Sequence, residues 1–420
     1  MRSFALAIAA SALLAAPAAA KLEVSSSQTL SPRLTSFLMK TPSMNFPVDM
    51  RILTPTGYAE HPKKRYPVLY LLHGSFDDSA SWTTKGNAEK LTEGLDLIVV
   101  MPATAGTGDA GGWASDWVNE GRGGPPKWET FTIKELIPWV DKTYRTRANR
   151  AGRAIAGLSM GGFSSMSYAV RHPDLFSAAS TYSGAVDTNN TEVQPVIEAE
   201  TTADGGTTPD AIWGPRLTSE IVWRTHNPWD LAANLQNMVL AIRTGNGQSG
   251  PYDNPSPAID PIESGVHDMS VSLHNQLDAL KIAHTFEDYG PGTHSWPYWT
   301  RDLQKDLPTF MATFASPPKT PDPFTYTTAE PTFSVYGWSV KFDRTTVSAW
   351  TTLQNAGRAG LSVKGTGTAD ITTARRYKPR SKHTVTIGAA AATLRAGKAG
   401  RLRFKVALGS TEKTVPVTIG

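Results

Sequence analysis

The stretch Ala154-Ile155-Ala156-Gly157-Leu158-Ser159-Met160-Gly161-Gly162-Phe163 decides how the chain reads. Ala154 to Gly157 is a short apolar run that predicts a strand, and Phe163 to Arg171 is compatible with a helix. Between them, Gly157-Leu158-Ser159-Met160-Gly161 fits a sharp strand-to-helix turn that holds a serine hydroxyl exposed on a strained backbone. Small residues must flank such a serine, because bulky neighbours would block the turn. Gly-x-Ser-x-Gly alone is a weak signal; set between a strand and a helix it makes Ser159 the candidate nucleophile.

Outward from this turn, short apolar runs recur at Pro67 to Leu72, Leu97 to Met101, Ala178 to Tyr182, Met238 to Thr244 and His284 to Asp288. Most are near-continuous, as strands buried on both faces should be. Helical spacing falls between them, with Phe131, Leu136, Trp139 and Val140 in Phe131 to Thr143, and Met269, Leu273, Leu277 and Leu280 in Val266 to Ile282. Over 21–315 this alternation predicts an α/β fold, a doubly wound, mostly parallel sheet with helices on both faces. The proline-rich run Ser316-Pro317-Pro318-Lys319-Thr320-Pro321-Asp322-Pro323 reads as a linker over 316–324. Beyond it, 325–420 turns to alternating runs such as Arg401-Leu402-Arg403-Phe404-Lys405-Val406, which predict a small antiparallel β-sandwich. Pro416, in Thr414 to Ile419, suggests an edge strand because proline donates no ladder bond.

A serine hydroxyl needs an adjacent base to attack at neutral pH. His294 is placed for it, in Gly290-Pro291-Gly292-Thr293-His294-Ser295-Trp296 beyond the last strand of the sheet and after the serine in chain order. His172, before a proline, His226, before Asn227-Pro228, and His267 and His274, in or near a helix, read as exposed or capping. A carboxylate must orient the imidazole, and the window 245–268 offers Asp253, Asp260, Glu263 and Asp268, among which spacing does not choose. Two backbone N–H groups must meet the developing oxyanion, one from Met160 and one from Ser75, after the strand end Leu71-Leu72-His73-Gly74-Ser75-Phe76. His73 reads as structural, since the base is already supplied. Phe76, Trp82, Trp117, Trp296 and Trp299 are candidates to line an acyl or sugar pocket.

Zero cysteines exclude a disulfide framework, a thiolate nucleophile and a lipid-anchoring cysteine. Arg2, the apolar run Phe4 to Leu14 and Ala18-Ala19-Ala20 predict a secretory signal peptide over 1–20. The run is shorter than the ~20 residues of a membrane span and no later segment sustains one, so a soluble, extracellular or envelope-associated protein without a transmembrane anchor is expected. The net charge of +4 hides an asymmetry: 15 Lys and Arg against 4 Asp and Glu from Thr325 onward, 26 against 33 before it. Arg375-Arg376-Tyr377-Lys378-Pro379-Arg380-Ser381-Lys382 and the alternating Arg401, Arg403 and Lys405 predict a cationic face directed at an anionic cell-envelope polymer or lipid headgroup. No nucleic-acid module is recognised, and no cofactor or metal is implied.

Four strings, Asp116-Trp117, Lys127-Trp128-Glu129-Thr130-Phe131, Gly157-Leu158-Ser159-Met160 and Gly292-Thr293-His294-Ser295-Trp296-Pro297-Tyr298-Trp299, resemble the esterase D and antigen 85 mycolyltransferase group of α/β-hydrolases from about Phe37 to Phe314. The resemblance implies a serine enzyme that forms an acyl-enzyme from carboxylic esters and passes the acyl group to water or to a sugar or glycolipid hydroxyl. It also implies that the carboxylate is the glutamate just before a long helix, which Ile262-Glu263 matches, with Asp268 in reserve. Antigen 85 proteins carry Asp-Gly-Leu-Arg, whose charges engage trehalose, where this chain has His73-Gly74-Ser75-Phe76. The expected reading is therefore a secreted esterase, with a mycolyltransferase-type envelope acyltransferase as the alternative. A peptidase and a binding protein with a decayed site fit the motifs less well.

Overall fold

The computed structural model describes residues 21–106, 111–119, 126–203 and 209–420, with backbone alone at 201–203. The signal-peptide expectation over 1–20 lies outside the described residues. The first sheet contains β1 (Glu23–Thr29), β2 (Leu34–Lys40), β3 (Val48–Leu53), β4 (Val68–Leu72), β5 (Ile98–Pro102), β6 (Arg153–Leu158), β7 (Ala178–Tyr182), β8 (Val239–Thr244) and β9 (Thr285–Asp288), in the order β1-β2-β3-β5-β4-β6-β7-β8-β9. The pairs from β5 through β4 to β9 are parallel, while β1, β2 and β3 add an antiparallel edge. The sheet is thus mostly parallel, as expected, and the antiparallel edge is an addition.

Alternation along the central strands builds two faces. Val68, Tyr70 and Leu72 join one hydrophobic cluster while Leu69 and Leu71 join the other, the period-two consequence of the pleat. Short helical turns α1 (Ser81–Thr84) and α2 (Ala88–Leu91) follow β4. Next come α3 (Ile137–Thr143), which continues a π-helical stretch Thr130–Leu136, α4 (Met160–Arg171), α5 (Val193–Ala203), α6 (Arg216–His226), α7 (Pro261–Ala279) and α8 (Trp296–Ala315). Phe163 and Met166 of α4 and Leu273 and Leu277 of α7 fill the first cluster; Trp299, Leu303 and Phe310 of α8 fill the second. Each such side chain, fully buried, contributes roughly 1.5–3 kcal/mol.

β4 leads to a neighbour on one side and β6 to a neighbour on the other, so the loops after these adjacent strands diverge. Their register pairs Leu72 with Gly157, which sets Gly74 beside Ser159 at the carboxyl ends. That crevice is where open α/β sheets bind ligands.

From Phe324 on, an all-antiparallel second sheet runs β10-β13-β14-β17-β15-β16, with β11 and β12 paired alongside β14. Its strands are β10 (Phe324–Thr328), β11 (Thr332–Val335), β12 (Trp338–Phe342), β13 (Thr351–Gly357), β14 (Gly360–Thr372), β15 (Lys382–Ile387), β16 (Ala390–Arg395) and β17 (Arg403–Ile419). Inner residues Val340, Leu353, Val385, Leu402, Phe404 and Val406 share one core cluster, while Arg403 and Lys405 face solvent as the alternation implies.

The edge-strand expectation for Pro416 fails, because β17 lies between β14 and β15. The ladder survives because the Pro416 carbonyl accepts from Gly388 N–H at 2.9 Å, in the turn just past β15. The proline nitrogen faces that same side, so its missing N–H falls beyond the end of the paired segment.

The second sheet docks on the far end of α4. Tyr326 Oη donates to Arg171 O at 2.8 Å, Glu330 pairs with the Arg171 guanidinium at 3.0 Å, and Tyr336 N–H donates to Asp174 at 3.0 Å. Asn234 donates to Thr327 O at 2.8 Å and accepts from Thr327 N–H at 2.9 Å, completing the strand's polar groups with a side-chain amide.

Candidate active site

Ser159 stands between β6 and α4 with φ 52° and ψ −123°, a conformation strained for a side chain with a Cβ. The turn closes because its glycines are bare: a Cβ on Gly157 would meet Gly161 O at 2.2 Å, and one on Gly161 would meet His73 O at 2.3 Å. Ser159 N–H donates to Tyr182 O at 2.9 Å, which ties the strained residue to β7.

His294 Nε2 lies 2.9 Å from Ser159 Oγ, and His294 Nδ1 lies 2.7 Å from Glu263 Oε2. Glu263 is fully buried in the first turn of α7. Its other oxygen, Oε1, accepts from Ser183 Oγ at 2.8 Å, Gly245 N–H at 2.7 Å and Thr244 Oγ1 at 3.2 Å. Donors on this oxygen fix the carboxylate in one orientation, with Oε2 turned to the imidazole.

The other acids in the window have separate places. Asp260 caps α7, accepting from Ile262 N–H at 3.0 Å and Glu263 N–H at 3.3 Å, and its second oxygen takes His294 N–H at 2.9 Å. One side chain therefore positions both the glutamate's helix and the histidine's loop. Asp253 accepts from Thr293 Oγ1 at 2.6 Å and Tyr298 Oη at 2.7 Å. Partial desolvation raises its carboxyl, but these bonds and Gly250 N–H outweigh that and hold it below the usual range. Asp268 is exposed beside His267.

Three of the other histidines are engaged away from the serine. His172 bonds Glu129, His267 bonds Asp288, and His226 bonds Val222 O while burial pulls it down to about 3.

His73 is buried behind the Gly74-Ser75 loop. Its Nε2 accepts from Thr104 N–H at 2.9 Å, so Nδ1 carries the proton and donates to Gly74 O at 2.7 Å. Burial is the main reason the ring is held below its ordinary value and neutral. This bond fixes the peptide plane that carries Ser75 N–H. Met160 is the first residue of α4, so its N–H has no partner within the helix. Ser75 and Met160 line the cleft that holds Ser159 and His294.

Residues 41–310 match the profile of the Esterase family. The chain belongs to this family. Esterase Rv1288 of Mycobacterium tuberculosis is 38% identical over 154 residues, covering 36% of this chain and 32% of that protein, so this chain spans about a third of that relative's length. The diacylglycerol acyltransferase/mycolyltransferase Ag85B of Mycobacterium leprae is 28% identical over 263 residues, covering 60% of this chain and 78% of that one. The S-formylglutathione hydrolase of Agrobacterium tumefaciens shares the fold, with a TM-score of 0.54 at 17% identity over 69% of this chain and 98% of its own.

The cleft of this family member has a volume of ≈ 430 Å³. Of the aromatic residues expected to line it, Phe76 and Trp299 do, Phe76 as an exposed side chain at the mouth. Trp82, Trp117 and Trp296 do not. Trp82 is buried, with its indole N–H on Leu72 O at 2.9 Å; Trp117 is buried on Gly112 O at 3.0 Å; and Trp296 lies edge-on between Trp82 and Trp299. Core packing won at these positions because a large ring with one polar atom fits an interior as readily as a pocket.

Residues outside the sequence expectation take the lining role: Trp113, Val193, Val196 and Met269. Glu200 of α5 accepts from Ser75 Oγ at 3.0 Å and Trp113 Nε1 at 2.9 Å, linking the roof of the cleft to the Ser75 loop. Nothing in the local sequence around Val193 to Ala203 marks it as part of a site.

Proposed function

We propose that the chain is a secreted serine esterase acting through an acyl-enzyme at Ser159. The hydrogen-bonded chain from Ser159 Oγ through His294 to the buried Glu263 carries this reading. His294 Nε2 takes the hydroxyl proton as Oγ bonds the ester carbonyl carbon, and the carbonyl electron pair moves onto oxygen. The N–H groups of Met160 and Ser75 meet that oxyanion. Glu263 stabilises the imidazolium and fixes the tautomer that leaves Nε2 free to accept. The tetrahedral carbon collapses, the ester C–O bond breaks, and the alcohol leaves with the proton from His294. Water, or a hydroxyl acceptor, then attacks by the reverse sequence.

The apolar wall of Trp113, Val193, Val196, Met269 and Trp299 suits the acyl side of the substrate. Similarity over most of the length of Ag85B supports a second reading, an envelope acyltransferase with a glycolipid or trehalose acceptor. The first is preferred because neutral His73 and apolar Phe76 stand where a charged pair for trehalose is expected. Products from short and long acyl esters, with and without sugar acceptors, separate the two: free acid alone supports the esterase, and acyl-sugar formation the transferase.

The division into a catalytic part over 21–315, a linker over 316–324 and a basic module over 325–420 belongs to the same proposal. In the module, Lys378, Arg380, Lys382, Arg395 and Lys398 are exposed, and β15 and β16 set Lys382 directly opposite Arg395. Like charges paired across strands are unfavourable without an anion, which supports retention on an anionic envelope polymer. The docking site at Arg171 lies about 18 Å of helix from Ser159, so the cleft stays open while the module is bound.

A further inference from the structure

We propose that His274, Asp278 and His284 form a zinc-type metal site that staples the C-terminal end of α7 to the start of β9. The site is outside the cleft and independent of the esterase reading. His274 and Asp278 are one turn apart on α7, so their side chains share a face, and His284 lies just before β9. Each offers one donor atom, and the three atoms lie within 4.8 Å of one another.

Both rings are already oriented for coordination. His284 Nδ1 is 2.8 Å from Ile282 O, which only accepts, so Nδ1 carries the proton and Nε2 presents a lone pair. That lone pair faces His274 Nδ1 at 2.7 Å. His274 is held in plane by stacking on Phe286, with centroids 4.1 Å apart and planes 8° from parallel. A backbone carbonyl on the distal nitrogen of one histidine is the arrangement that fixes metal-binding imidazoles. Without a metal, a single proton joins the two rings; a cation takes its place and binds both.

Asp278 Oδ2 is 3.6 Å from His274 Nε2, the ring nitrogen turned away from His284, so its exposed side chain joins an ion held at Nδ1 by a change of rotamer. Tetrahedral zinc, about 2.0–2.2 Å from each donor, holds its donors roughly 3.3 Å apart. The three donor atoms lie within 4.8 Å of one another, so closing the cluster needs a shift of up to about 1.5 Å, within reach of a side-chain torsion at Asp278. Two imidazoles with one carboxylate favour zinc over calcium or magnesium, which prefer all-oxygen shells. The fourth position is open to water.

The consequence lies in the scaffold. α7 carries Glu263 at its beginning, and β9 leads into the His294 loop, so the staple closes the segment joining two members of the proposed triad.

The test uses the full chain without an affinity tag, titrated with zinc chloride by calorimetry and melted with and without zinc. The expected result is saturable binding at one equivalent and a Tm that rises with zinc concentration. His284→Ala, and separately Asp278→Asn on the exposed helix surface, should each weaken binding about tenfold or more, since loss of a ligand exceeds loss of an outer partner. No heat and no Tm shift at millimolar zinc would overturn the proposal. Wild-type affinity in both variants would overturn it too, by placing the ion elsewhere.

Discussion

Replacing Glu263 by glutamine tests how the buried acid works, and the surrounding donors dictate the outcome. Oε1 accepts from Ser183, Thr244 and the Gly245 N–H, so in the variant the amide oxygen must take that position. The amide NH2 then faces His294 Nδ1 from the place of Oε2, where 2.7 Å now separates the carboxylate from the ring. Nδ1 must become an acceptor, which puts the proton on Nε2, the atom 2.9 Å from Ser159 Oγ. The base is then in the wrong tautomer, and the imidazolium loses its counter-charge. Comparable exchanges cost a factor of about 10⁴ in kcat, or roughly 5 kcal/mol of barrier at 1.36 kcal/mol per tenfold. The assay is turnover of a chromogenic acyl ester by wild type, Glu263→Gln and Asp268→Asn, with melting curves to show that the fold is retained. Asp268→Asn should match wild type, because Asp268 is exposed away from the ring. If Glu263→Gln kept more than about a tenth of wild-type kcat, or if Asp268→Asn were the damaging change, the reasoning would fail.

Three further outcomes follow from the packing and the charges. Asn234→Ala strips Thr327 of partners for both backbone groups and should lower stability by at least about 1–3 kcal/mol; an unchanged Tm would show that the docked second sheet is not held there. Burial pushes the Asp302 carboxyl up to about 8, above the ~3.9 of an unfolded chain, so the native state keeps a proton that the unfolded state releases between about pH 4 and pH 8. Stability should therefore fall as pH rises through that window, and Asp302→Asn should flatten the fall in Tm; parallel Tm curves would contradict this. Reversing Lys382 and Arg395 to glutamate should leave turnover of small soluble esters unchanged and weaken salt-sensitive retention on isolated cell envelope, whereas undiminished retention would remove the anionic-polymer reading.

The parallel strands and the serine turn were legible because both are dictated locally. A strand buried on both faces is mostly apolar, and the turn at Ser159 tolerates only bare glycines two residues to either side. The antiparallel edge was not legible: Glu23-Val24-Ser25-Ser26-Ser27-Gln28-Thr29 is exposed along its whole length and carries no burial pattern. The roof of the cleft was hidden for a related reason, since Val193 and Val196 are ordinary helix residues whose role comes from where α5 lies. Four acids shared one window, and spacing did not separate them. The structure divides their tasks by contact, with Glu263 on the imidazole, Asp260 on the histidine's backbone, Asp253 on the loop and Asp268 in solvent. The tryptophans misled because one residue type serves core and pocket alike, and only the packing around Trp82 and Trp117 distinguishes the two uses.

The acyl-enzyme itself is the most direct test. The full chain is mixed with an activated acyl ester, quenched in acid within one turnover, digested and mapped by mass spectrometry. The account predicts an acyl mass increment on Ser159, absent in Ser159→Ala and retained longer in His294→Ala when a reactive ester forces acylation. An increment on a different residue, or steady hydrolysis by Ser159→Ala at the wild-type rate, would contradict it.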